Sequence, residues 1–153
     1  MKTILSILLL VVAIAPSAFS ENASPLPDSF GGLVPGTEFT LKVTRKKSFD
    51  LAGGKYAVPI PRGVPAFKRD RNVTFRIGAK GQLLSKDMSL PFQDADGTTN
   101  GYYIPPSRNA PNSDVADVEM DSSGRVIRVY LSFVRVIKSK GQSSTINVYY
   151  TLE

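Results

Sequence analysis

The chain has 153 residues, 42% apolar and 21% charged, with a formal charge of +6 and no Cys, His or Trp. Without Cys or His there is no disulfide framework, no thiol nucleophile, no thiolate or imidazole metal site, and no Ser-His or Cys-His catalytic pair. Hydrolytic chemistry, if present, would have to run on carboxylates.

Met1-Lys2 precedes an apolar run from Ile4 to Ile14, broken only by Ser6, and Pro16 ends it. Ala18 and Ser20 then place small residues at −3 and −1 of a cut before Glu21. A basic start, a short apolar core and a small-x-small site predict a secretory signal peptide over residues 1–20. The run is short for a transmembrane span, which needs ~20 apolar residues. The expectation is a secreted or periplasmic protein with no transmembrane segment after cleavage. A Cys-free chain in an oxidising compartment points to a bacterial exported protein rather than a disulfide-dense eukaryotic one.

Residues 21–36 are a Pro/Gly-rich leader, unsuited to regular structure. Residues 37–153 read as a single all-β domain, large enough to bury its own core. From Thr37 the period becomes two: Phe39, Leu41 and Val43 alternate with Thr40, Lys42 and Thr44, the pattern of a half-buried strand. Lys55–Ile60 is a shorter strand candidate that Pro59 confines to an edge or an end. Val73, Phe75 and Ile77 mark a third strand, with Gln82–Leu84 as its return. Residues 85–114 hold four Pro and few β-branched residues, and read as a long irregular loop containing Tyr102-Tyr103-Ile104 as a short strand.

The last third is patterned as a three-strand antiparallel meander. Val115–Met120, Arg125–Ile137 and Thr145–Leu152 are separated by Gly-bearing polar turns. Both faces of the middle strand carry apolar residues, which predicts a strand covered on both sides. In the last strand Ile146, Val148, Tyr150 and Leu152 form the apolar face, and Tyr149 belongs to the wetter one. The expected fold is an antiparallel β-sandwich or partly open small β-barrel of roughly seven strands.

Charge is segregated along the chain. Residues 42–80 hold eleven Lys/Arg against Asp50 and Asp70, whereas residues 86–123 hold seven acids against Lys86 and Arg108. Arg45-Lys46-Lys47 and Lys68-Arg69-Asp70-Arg71 read as two basic loop tips able to meet an envelope polyanion. Nucleic acid is not expected as a partner, because neither cluster is interleaved with aromatics and the chain reads as exported. Tyr102 and Tyr103, followed by Pro105, Pro106 and Arg108, offer rigid amphipathic surface suited to a sugar or peptide.

Asp94, Asp96 and Asn100, around Gly97, resemble part of a calcium loop, but Phe92 stands where a further acid is needed. No other cofactor is suggested. Asp114, Asp117, Glu119 and Asp121 are the remaining carboxylate cluster, three of them at strand period. The functional expectation is therefore an exported, non-catalytic binding or structural β module for a glycan, peptide or polyanion. The alternative is a small carboxylate-dependent hydrolase using acids within 94–121.

Overall fold

Strict alternation of apolar and polar residues commits a segment to a strand with one face inward, and most of this chain follows that rule. The computed structural model describes residues 30, 32–92, 101–104, 112–139 and 141–153. The expected signal peptide and most of the expected Pro/Gly-rich leader lie outside the described residues. All extended regular structure among the described residues is β: β1 Glu38–Asp50, β2 Lys55–Tyr56, β3 Asn72–Ile77, β4 Leu83–Ser85, β5 Met88–Leu90, β6 Gly101–Ile104, β7 Ser113–Met120, β8 Val126–Ser139 and β9 Gln142–Leu152. Every pairing is antiparallel, and the strand order is β5-β4-β3-β1-β9-β8-β7-β6, with β2 on the flank of β1. The end strand β5 comes back against β6 and β7, so the sheet nearly closes into a barrel.

The meander is present as β7-β8-β9. Its first turn is shaped by Asp121 and by Gly124 at φ +79°, its second by Gly141 at φ +80°. Two of the expected elements differ in length. The Lys55–Ile60 candidate pairs only at Lys55 and Tyr56, because Ala57 turns the chain at φ +58° and Pro59 and Pro61 cannot donate to a ladder. The 85–114 segment contains β5, β6 and the start of β7, so it is not one continuous loop.

β1 forms the corner of the barrel. Its first half, Glu38–Lys42, pairs with β3, and its second half, Val43–Asp50, pairs with β9. At the change of partner a β-bulge inserts Thr44: Val43 sits opposite Leu152 and Arg45 opposite Thr151. The extra residue reverses the side-chain phase. Leu41 and Val43 are buried, yet Arg45, Lys47 and Phe49, which continue the same odd-numbered series, share the outer face with Thr151, Tyr149 and Asn147. Arg45-Lys46-Lys47 is thus not a loop tip, as the sequence suggested, but the middle of the 13-residue strand β1.

The core gathers Phe75, Ile77, Leu83, Leu90, Val129, Leu131, Phe133, Val148, Tyr150 and Leu152, all nearly inaccessible. Tyr150 packs edge-on against Phe67 and Phe133 and donates its hydroxyl to the Pro65 carbonyl at 2.6 Å. The loop before β3 is thereby held against the core, into which it sends Val64 and Phe67. Arg135 holds the same loop, donating to the Gly63 carbonyl at 2.8 Å while ion-paired to Asp114. Contrary to the expectation for a doubly covered strand, β8 has one core face. Val129, Leu131 and Phe133 are buried, whereas Tyr130 is exposed and Ser132, Val134 and Val136 are only half-buried.

Candidate functional site

The outer face of β1, β9, β8 and β7 carries cationic and aromatic side chains side by side. Side chains directly opposite one another on antiparallel strands point to the same face, so the register defines rows across the sheet. One row runs Lys47, Tyr149, Ser132, Val115 and, on the β6 backbone, Tyr103. The next runs Arg45, Thr151, Tyr130, Asp117 and Gly101. Residues from these rows, with Phe49, line an open cleft of about 430 Å³.

The aromatic part of the cleft is preorganised. Phe49 stacks on Tyr149 with ring centroids 5.5 Å apart and planes at 17°. The Asn147 amide donates to the Tyr149 hydroxyl at 2.8 Å, and its oxygen accepts from the Ser132 hydroxyl at 3.2 Å. At 6% exposure Asn147 is a buried polar side chain whose partners both belong to this face. Tyr130 is held from the other side by the Arg128 guanidinium, 5.8 Å from its ring centre.

The charged part is unspent. Arg45 and Lys47 are exposed and make no ion pair among the described residues. Arg128, by contrast, is committed to Glu153 and Glu119 at 2.7 and 3.0 Å, with its pKa pushed up chiefly by the bond to Glu153. A cleft with free cations beside rigid rings can hold an anionic group and a flat or puckered apolar surface together.

Lys46 is separated from its sequence neighbours. It lies on the opposite face, with Nζ 5.9 Å from the Tyr150 ring centre, in a second cavity lined also by Lys47, Tyr56, Pro59, Ile60 and Arg69. Lys68, Arg69 and Arg71 form a tight turn with Asp70 at φ +61°. That turn is fastened to β1 by Val43 N–H to the Arg71 carbonyl and Asp70 N–H to the Val43 carbonyl, each 2.9 Å. The structure therefore brings the two basic clusters side by side.

Of the carboxylates, Asp114 is ion-paired with Arg135 at 16% exposure, and Glu119 with Arg128. Asp121 lies beyond the end of β7 and caps the turn, rather than sharing a strand face with Asp117 and Glu119 as its spacing suggested. Its carboxylate accepts from the Ser123 hydroxyl and amide and the Arg125 amide, which lowers its pKa to about 2. Asp117 is exposed in the cleft without an ion pair among the described residues. Arg108 and the calcium candidates Asp94, Asp96 and Asn100 lie outside the described residues, and the side chains of Tyr102 and Tyr103 are not described.

Sequence reasoning did not single out Phe49, Tyr130 or Tyr149 as site residues. The signal available was the polar-side alternation of Asn147, Tyr149 and Thr151, which marks a wet face carrying a large aromatic. No family model matches the chain, and neither does any curated protein or solved structure.

Proposed function

We propose that the protein is an exported, non-catalytic binding module for an anionic glycan, held in the cleft between Arg45, Lys47, Tyr149 and Tyr130. The observation that carries this reading is the union, on one sheet face, of two cations without an ion pair among the described residues and a locked aromatic pair. Arg45 and Lys47 supply charge-assisted hydrogen bonds to a carboxylate or sulfate. Tyr149 and Tyr130 supply the apolar platform on which a pyranose face packs, at low entropic cost because their rings are already held. The export part of the proposal rests on the Met1–Ser20 pattern alone. A hydrolase is less well supported, because it needs two carboxylates facing one bond at ~5–9 Å. Asp114, Glu119 and Asp121 are each engaged with an arginine.

The test is calorimetric titration with short acidic oligosaccharides, heparin tetrasaccharide and a galacturonate oligomer. Arg45→Ser/Lys47→Ser should lose about tenfold or more in affinity, as expected when charge-assisted bonds are removed, together with most of the salt dependence. Tyr149→Ala should also weaken binding but leave the salt dependence in place. Unchanged affinity in both variants would sink the proposal. Tighter binding of a thymidine oligonucleotide than of either sugar would redirect it to nucleic acid.

A further inference from the structure

The basic turn at 68–71 lies beside a third cavity of about 480 Å³, whose lining includes Lys68, Arg71, Thr74, Ser85 and Lys86 and one acid, Asp87. Lys68, Arg71 and Lys86 make no ion pair among the described residues. Asp70, the acid inside the turn, is engaged by Lys42 at 3.6 Å and Arg69 at 3.8 Å. The Ser85 hydroxyl is buried and has no hydrogen-bond partner among the described residues. A buried hydroxyl without a partner, beside three cations that form no ion pair among the described residues, offers the donors that an oxyanion needs.

A succession of basic residues leads from the cleft towards this third cavity. Lys47 lines both the cleft and the second cavity. Arg69 lines the second cavity, and in the same turn Lys68 and Arg71 line the third. The backbone bonds from Val43 to Asp70 and Arg71 fix the turn against β1, so the cations follow one another around the strand. We propose that Lys68, Arg71 and Lys86, with the Ser85 hydroxyl, form a second anion subsite continuous with the Arg45/Lys47 cleft, so that the preferred ligand is a linear polyanionic glycan spanning both. This deepens the reading of the cleft and rests on it for the glycan part of the ligand. Successive negative charges on one chain would engage successive cations, and linking two weak subsites raises affinity without new contacts at either.

The experiment compares heparin tetrasaccharide with heparin dodecasaccharide on the full chain, in wild type, Lys68→Ser/Arg71→Ser/Lys86→Ser and Arg45→Ser/Lys47→Ser. Wild type should bind the long probe at least tenfold more tightly than the short one, with a steeper salt dependence. The Lys68/Arg71/Lys86 variant should keep its affinity for the short probe and lose most of the gain with length. Its thermal midpoint, close to wild type, would confirm that folding is intact. Equal wild-type affinity for the two probes, or a length gain untouched in the triple variant, would overturn the second subsite and leave the cleft standing. Should Arg45→Ser/Lys47→Ser retain both probes while the triple variant releases the long one, the subsite stands and the cleft reading fails.

Discussion

Val43 and Arg45 lie two residues apart in one strand but on opposite faces of the sheet. Val43 is fully buried opposite Leu152, and Arg45 is exposed opposite Thr151. Thr44 is the residue that separates them, bulging out of register with its hydroxyl donating to the Thr151 carbonyl at 3.3 Å. That one inserted residue lets Arg45 and Lys47 point towards solvent although Leu41 and Val43, in the same odd-numbered series, point into the barrel.

Deleting Thr44 should leave Val43 opposite Leu152 and Arg45 opposite Thr151, with regular alternation and with Arg45 and Lys47 still on the outer face. The deletion variant should therefore fold, with a circular dichroism spectrum close to wild type. Loss of the fold on deletion would contradict the placement of the bulge. Thr44→Ala, which keeps the residue count, should stay folded with only a modest loss in urea midpoint.

Phe133 is 1% exposed in the core and Tyr149 is 39% exposed on the outer face. Phe133→Ala should cost about 3–5 kcal/mol in urea unfolding, as large-to-small core changes do. Tyr149→Ala should cost clearly less. Equal costs would contradict the assignment of faces in β8 and β9.

Burial raises the pKa of Tyr150 to about 12, whereas an unfolded tyrosine titrates near ~10. Between these values the unfolded chain releases this proton and the folded chain keeps it. Its contribution is therefore complete below about pH 10 and disappears as pH rises towards 12. Denaturant titrations over that range should show a steeper fall for wild type than for Tyr150→Phe. The variant should also be less stable at neutral pH by ~1–3 kcal/mol, having lost the bond to Pro65.

Asp121 behaves in the opposite sense. Its folded pKa, lowered to about 2 first by the Ser123 hydroxyl, lies below the ordinary aspartate value of 3.8. Its contribution is present above about pH 4 and is lost as pH falls through 2. Asp121→Asn should therefore destabilise the β7–β8 hairpin at neutral pH, with the difference from wild type shrinking between pH 4 and pH 2 in thermal melts.

Local chemistry made much of the fold legible. The alternation in Val73–Ile77 and in Ile146–Leu152 identified strands and their buried faces, because a period of two leaves one arrangement that hides the apolar set. Asp121–Gly124 and the turn around Gly141 were readable as hairpins, since Gly takes positive φ without steric cost. The middle strand misled because apolar residues on both faces suggest two covers. Here Tyr130 and Val134 instead form the floor of an outer face that is only partly covered.

The sequence by itself determined an all-β chain, the C-terminal meander, the wet face bearing Tyr149, and the clustering of basic residues at 45–47 and 68–71. Each of these follows from neighbouring residues and the period of their spacing. Only the tertiary structure decided that Arg45 and Lys47 point away from Lys46, that Tyr149 and Phe49 stand beside them, and that the Lys68–Arg71 turn abuts the same strand. Those relations depend on a bulge set by pairing with β9 and on backbone bonds to Val43, between residues distant in sequence, and no local pattern encodes them.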